Sequence, residues 1–189
     1  MTGSGILPTT IYKNRLYFLF GRENNHDATP GWSDFAGGVE GNDGILETAI
    51  REGTEELTGF LGSEQELREK LQKYGTYKIT WNTYTTHILP MEYDESLVHY
   101  YNNNQKFLQK HLHPKVMKRY KFFEKAEIRW VPFSDLKKMR YTFRPFYKNV
   151  LDELIREKTG IEKYVKNSLK KNKKTRKNKK RMNKTRKLR

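Results

Sequence analysis

The first third of the chain alternates short hydrophobic runs with turn-forming residues, which is the pattern of β-strands. Residues 7–12 and 16–20 flank the polar triplet Lys13-Asn14-Arg15, so they predict a hairpin with an asparagine-centred turn. A polar segment rich in turn-forming residues continues to Gly31. Residues 32–35 then read as a further short strand.

The middle of the chain changes to helical periodicity. Leu46, Ile50, Gly53 and Leu57 follow an i, i+4, i+7, i+11 spacing, so they predict a helix with one core-facing side. Residues 63–66 have the composition of a capping box, which predicts a second short helix through residue 74. Residues 77–91 alternate in polarity and predict two strands or one long bent strand.

The remainder of the chain has helical segments. Residues 97–123 carry apolar positions at helical spacing, interrupted by Pro114. A last helix follows residues 143–146 and keeps an apolar face up to Gly160. These elements predict one α+β domain over residues 1–160, followed by a basic, disordered tail over residues 161–189.

The charge of the chain is concentrated at its C-terminal end. The formal net charge is +16, from 38 basic and 22 acidic residues. Residues 166–189 hold 14 Lys or Arg and no acid, which leaves 24 basic against 22 acidic residues, or +2, for residues 1–165. A segment of this composition cannot bury enough apolar surface to order itself, and it binds polyanions by neutralising phosphates.

Composition also excludes several classes of protein. The chain has no cysteine, so it has neither disulfides nor a zinc–thiolate site, as is common in a reducing compartment. No apolar run approaches ~20 residues, so we expect no membrane span. We expect an intracellular protein, cytoplasmic or nuclear, because the basic tail resembles a nuclear address.

The predicted helix before Gly59 carries a dense set of carboxylates. Glu52 and Glu56 lie one turn apart and Glu55 lies beside Glu52, with Arg51 next to them. Like charges this close repel each other and favour a bound cation. Carboxylate oxygens without cysteine or paired histidine nearby indicate Mg2+ or Mn2+ rather than zinc.

Residues 37–59 resemble the Nudix box, the signature of hydrolases that cleave nucleoside diphosphates linked to another moiety. Aligned on Arg51 and Glu52, the box places Gly37 at its first glycine, Asp43 at its first glutamate, and Glu55 and Glu56 at its glutamate pair. The resemblance implies that Glu52, Glu55 and Glu56 bind the catalytic metal with help from the Gly37 backbone, and that Arg51 orients them. It also implies the family's fold, an α/β/α sandwich around a mixed sheet.

Three departures from the box are present. Asp43 replaces a glutamate, Gly53 replaces an aliphatic residue, and one extra residue separates Glu56 from Gly59. Gly53 is expected to weaken core packing and helix propensity by about 1 kcal/mol. The metal-binding residues themselves are intact.

Residues outside the box complete the predicted site. Arg22 lies where members of the family often place a phosphate-binding residue. A further acidic residue often completes the metal site or acts as general base, and Glu124 and Glu127 are both candidates that spacing cannot separate. Residues 97–123 are either a packing elaboration or a specificity element whose basic side chains meet phosphates: Lys106, Lys110, Lys115, Lys118 and Arg119.

The substrate class stays open at this stage. The basic tail favours an RNA-linked diphosphate such as an mRNA 5′ cap, and the box, the Asn-rich insertion and the tail together resemble Nudix proteins of large DNA viruses, some of which remove caps. Free (d)NTPs, nucleotide sugars and diphosphoinositol polyphosphates are alternatives. So is a catalytically weak scaffold that binds RNA through residues 166–189.

Overall fold

A computed structural model describes residues 2–24, 28–113, 115–116 and 124–171. Its sheet has seven strands in this part of the chain. They are β1 (Gly3–Tyr12), β2 (Arg15–Glu23), β3 (Trp32–Ser33), β4 (Phe35–Gly38), β5 (Tyr77–Trp81), β6 (Tyr84–Pro90) and β7 (Lys125–Pro132).

The helices follow the predicted order. They are α1 (Ile45–Glu56), α2 (Glu64–Tyr74), α3 (Glu95–His111), α4 (Leu136–Met139), α5 (Tyr147–Arg156) and α6 (residues 158–171). Short 3₁₀ turns at Phe133–Asp135 and Arg140–Thr142 flank α4. None of the helices in the described ranges combines the length and the apolar character that a membrane span requires.

The sheet is mixed, as predicted. Strand β1 pairs in parallel with β6 and antiparallel with both β2 and β4, while β2 pairs antiparallel with β3 and β7. Strands β5 and β6 form the second hairpin, so residues 77–91 form two strands rather than one bent strand.

The first hairpin turns at the predicted position. Lys13 and Asn14 both have positive φ, 45° and 62°, as a two-residue type I′ turn requires. Strand β1 is longer than predicted, because it already begins at Gly3. A Cβ at Gly5 would lie 2.2 Å from that of Ala36, so glycine allows β1 and β4 to pair closely here.

Helices cover both faces of the sheet. Apolar residues of α1, α2 and α3 pack on one face with Leu19, Ile128 and Trp130. Apolar residues of α5 and α6 pack on the other with Phe18, Phe20 and other strand residues. The α/β/α sandwich expected from the sequence is therefore confirmed.

The C-terminal boundary differs from the prediction. The predicted end of the domain at residue 160 lies inside α6, where Ile161 and Val165 are fully buried in the core and the Tyr164 hydroxyl donates to the carbonyl of Gly75 at 2.6 Å. Residues 161–171 thus belong to the fold, because two apolar side chains one turn apart are enough to dock the helix. The remainder of the predicted disordered tail, residues 172–189, lies outside the described residues.

Helix α3 is the main addition between β6 and β7. The Asp94 carboxylate caps it by accepting from the backbone N–H groups of Ser96 and Leu97 at 2.9 and 3.2 Å. The helix ends at His111, ahead of Pro114. Lys118 and Arg119, predicted to belong to the same elaboration, lie outside the described residues.

Candidate metal and phosphate site

The site is built where β4 runs into α1. An ideal Cβ at Gly37 would lie 2.1 Å from the Glu52 carboxylate, so only glycine lets this side chain lie flat against the strand. Glu52 is buried, and burial raises its pKa. A buried carboxylate packed against the backbone of a glycine is well placed to bind a cation, because the cation would balance its charge.

Arg51 ties the loop to the helix. Its guanidinium donates to Glu52 Oε1 at 2.7 Å, to Asp43 Oδ2 at 3.2 Å and to the carbonyl of Gly38 at 3.1 Å. Asp43, the first departure from the box, therefore still meets the arginine. Arg51 fixes the orientation of Glu52 through these bonds.

Gly53, the second departure, has a packing reason. A Cβ at this position would lie 2.4 Å from Cδ1 of Ile6, which is fully buried in β1. The strand side chain fills the space that an aliphatic helix residue would occupy. The loss of packing expected from the sequence is thus compensated by Ile6.

Glu52, Glu56 and Glu124 come together at the centre of the site. One carboxylate oxygen from each lies within 4.8 Å of the others. Glu56 is buried, and desolvation raises its pKa well above the ordinary value. Three carboxylates this close repel one another unless a cation or protons reduce their charge.

Glu56 is held from two sides. Its Oε2 accepts from the backbone N–H of Ala36 at 2.8 Å, and its Oε1 lies 3.2 Å from Nζ of Lys125. Lys125 is fully buried and also donates to Glu23 and, at 3.0 Å, to Ser33 Oγ. The carboxylate is therefore fixed by a strand amide and by an internal cation.

A second cation completes this buried network. Arg144, just before α5, donates to the Glu23 carboxylate at 2.6 Å. A Cβ at Gly21 would lie 2.8 Å from Cδ of Lys125, so this glycine makes room for the lysine stem. Sequence reasoning missed Lys125 and Glu23, because a lysine and a glutamate at strand ends are ordinary surface residues; the glycine beside them was the only local signal.

Asp34 is a further buried acid that the sequence did not single out. It accepts from the hydroxyls of Tyr84 and, at 2.7 Å, Thr86, and burial raises its pKa to about 6. These hydrogen bonds join the residue that precedes β4 to two side chains of β6.

The remaining predicted site residues lie elsewhere. The Glu55 side chain is 60% exposed and reaches Arg51 at 3.6 Å, outside the group of three carboxylates. Arg22 donates to Glu127 at 2.8 Å. Glu127 alternates along β7 with Ile128, which packs on the α1 side, so the Arg22–Glu127 pair projects from the opposite face of the sheet.

The residues of the site fit a hard divalent cation. All three converging side chains offer carboxylate oxygens, the donor type that Mg2+ and Mn2+ prefer. Two of the three are buried, where an unbalanced negative charge is costly. Glu52, Glu56 and Glu124 are thus the described residues best placed to hold such an ion.

Comparison with known proteins identifies the family of the chain. The family model of the NUDIX domain matches residues 9–154. Similar solved structures include a C. elegans Ap4A hydrolase complex (15% identity, 84% of this chain and 98% of that chain, TM-score 0.47) and the M. smegmatis Nudix hydrolase RenU (15%, 84% and 86%, 0.49). Another is the MutT protein of Methanosarcina mazei Go1 (14%, 84% and 94%, 0.47). No curated protein matches the sequence.

The family match spans most of the folded part of the chain, including the glycine-rich loop, α1 and the strand that carries Lys125. The chain belongs to the Nudix family.

Proposed function

We propose that this protein is a Mg2+- or Mn2+-dependent hydrolase that cleaves a diphosphate bond in a nucleoside-diphosphate-linked substrate. The observation that carries the proposal is the convergence of Glu52, Glu56 and Glu124 beside Gly37 in a Nudix fold.

The chain's own residues have separate tasks in this proposal. Arg51 orients Glu52, while the Ala36 amide and Lys125 orient Glu56. A divalent cation held by the carboxylates would neutralise phosphate oxygens and make water more acidic. Glu56 is our candidate for the carboxylate that removes a proton from the attacking water, because two bonds hold it in place at the centre of the site.

We propose an RNA 5′ cap as the substrate. The support is the composition of residues 166–189, a segment that is strongly positive and contains no aromatic residue. Such a segment would attract the RNA that follows a cap through phosphate neutralisation. A free nucleotide has no such chain for the segment to bind.

Other phosphorylated substrates fit the same carboxylates. A (d)NTP, a nucleotide sugar or a diphosphoinositol polyphosphate each carries the diphosphate bond that the site requires. A catalytically weak scaffold that binds RNA through residues 166–189 is the alternative of a different class.

The test is release of labelled product from cap-labelled RNA with Mg2+ or Mn2+. A (d)NTP, ADP-ribose and a diphosphoinositol substrate are run in parallel. Cap cleavage that is abolished by Glu56→Gln and weakened by removal of residues 172–189 supports the proposal. If only a small substrate is cleaved, that substrate replaces the cap in the proposal. If no substrate is cleaved with metal present, the result favours the catalytically weak scaffold.

A further inference from the structure

Helix α3 presents an exposed face on which aromatic and basic side chains alternate. Tyr100 and Phe107 are 63% and 60% exposed, and Lys106 and Lys110 are exposed beside them. At 100° per residue these four positions fall within one third of the helix circumference. The opposite side of α3 carries the buried residues Leu97, Tyr101 and Gln105.

The exposed rings are held in place by neighbours. His99 contacts Tyr100 with ring centroids 5.2 Å apart, and His111 contacts Phe107 at 4.5 Å. Tyr100 and Phe107 are two turns apart, about 10 Å along the axis. The face therefore offers two separate ring surfaces, each supported by a histidine.

The face has the charge of a nucleic-acid-binding surface. Glu95, in the first turn, is the only carboxylate in α3, and it lies outside the exposed face. Large exposed aromatic residues are unfavourable in water, whereas nucleobases stack on them and lysines neutralise the adjoining phosphates. A protein partner would be expected to prefer a face with fewer lysines.

The helix is also fixed directly beside the carboxylate site. The Tyr101 hydroxyl donates to the backbone carbonyl of Glu56 at 2.7 Å. The Asn102 side chain bonds both the N–H and the carbonyl of Ile128, at 2.8 and 3.1 Å. The exposed face is on the other side of α3, so it lies one helix diameter, about 10 Å, from the Glu56 backbone.

We propose that the Tyr100–Phe107 face of α3 binds single-stranded polynucleotide, with bases stacked on the two rings and phosphates neutralised by Lys106 and Lys110. This inference rests on the proposed function in one respect: the bound strand is taken to be part of the substrate whose diphosphate is hydrolysed at the carboxylates. Binding itself requires neither metal nor a diphosphate.

The test uses full-length protein and an unmodified single-stranded oligonucleotide, as RNA and as DNA, in EDTA. Fluorescence anisotropy gives affinity, and an internal 2-aminopurine reports stacking. Residues 166–189 contain no aromatic side chain, so they cannot produce a ring-stacking signal. The expected result for Tyr100→Ala/Phe107→Ala is loss of the stacking change and binding that is weaker by about 30-fold or more, because each stacked base contributes at least about 1 kcal/mol.

The lysines have a separate readout. Lys106→Gln/Lys110→Gln should reduce the slope of log affinity against log salt by about 1.4, because each neutralised phosphate of a single strand contributes about 0.7. The matched controls are Tyr141→Ala, whose ring is 81% exposed next to α4, and Lys137→Gln/Lys138→Gln on α4. Both controls should bind as wild type.

A Tyr100→Ala/Phe107→Ala variant that binds and stacks as wild type does would overturn the inference. If that variant also loses self-association in sedimentation, the face is instead an interface between copies of the chain. Hydrolysis of ADP-ribose or a (d)NTP by the same variants tests the proposed function independently, since neither small substrate carries a strand for the exposed face of α3 to bind.

Discussion

Replacement of Lys125 by methionine tests whether the buried ion network holds the site together. Lys125 is fully buried, and the carboxylates of Glu23 and Glu56 that it contacts are 2% and 3% exposed. Methionine keeps most of the volume and removes the charge. Glu23 retains Arg144, but among the residues that the structure describes Glu56 keeps only its bond from the Ala36 amide, so an uncompensated negative charge stays inside the protein.

Removing one partner of a buried ion pair costs about 3–5 kcal/mol, whereas an exposed pair contributes less than about 1 kcal/mol. We therefore expect Lys125→Met to lower the free energy of unfolding by about 3–5 kcal/mol. Urea unfolding followed by tryptophan fluorescence measures this directly, because Trp32 and Trp130 are buried.

The matched control is Arg68→Met, which breaks the surface pair between Arg68 and Glu47 at 2.9 Å. It should cost less than about 1 kcal/mol. Adding Glu56→Gln to Lys125→Met should recover part of the loss, since it removes the uncompensated charge. A Lys125→Met variant as stable as Arg68→Met would refute the reasoning that this network stabilises the fold.

Three other changes have defined outcomes. Burial raises the Asp34 pKa from 3.8 to about 6, so the neutral form stabilises the fold below pH 3.8 and this contribution is lost as the pH rises through 6. In urea unfolding, the stability of Asp34→Asn should therefore rise relative to wild type by about 2 kcal/mol between pH 4 and 7. Gly53→Ala should cost about 1–3 kcal/mol by overpacking against Ile6. Ile6→Val in the same chain removes Cδ1 but keeps the γ carbon that lies 2.6 Å from the added Cβ, so it should recover part of the loss in thermal unfolding. Gly37→Ala should displace Glu52 and weaken Mn2+ binding measured by calorimetry, while unchanged affinity would contradict the close contact.

The sequence allowed prediction of features that are local in the chain. Helix α1 was predictable because its apolar positions and the adjacent Arg51 and Glu52 all lie within a few helical turns of one another in the sequence. The first hairpin was predictable because the turn residues Lys13 and Asn14 stand between two β-rich runs.

Features that depend on strand register were not predictable. The choice between Glu124 and Glu127 depends on which face of β7 each occupies, and the pairing of β2 with β7 shifts register at Arg22 and Glu23. The role of Lys125 depends on the same pairing. The sequence places residues 161–171 in the tail because lysine is frequent there, although Ile161 and Val165 are core positions in the structure.

We propose that Glu124 joins Glu52 and Glu56 in holding the catalytic metal; Glu127 instead pairs with Arg22 on the other face of the sheet. The direct measurement compares Glu124→Gln with Glu127→Gln for Mn2+ affinity by calorimetry and for metal-dependent diphosphate hydrolysis. We expect Glu124→Gln to bind Mn2+ more weakly and to lose about 10²-fold or more in turnover, because loss of even an outer-shell partner of a metal ligand costs up to about 10²-fold. Glu127→Gln should behave as wild type. The reverse result, with Glu127→Gln impaired and Glu124→Gln unaffected, would contradict the placement of Glu124 at the metal site.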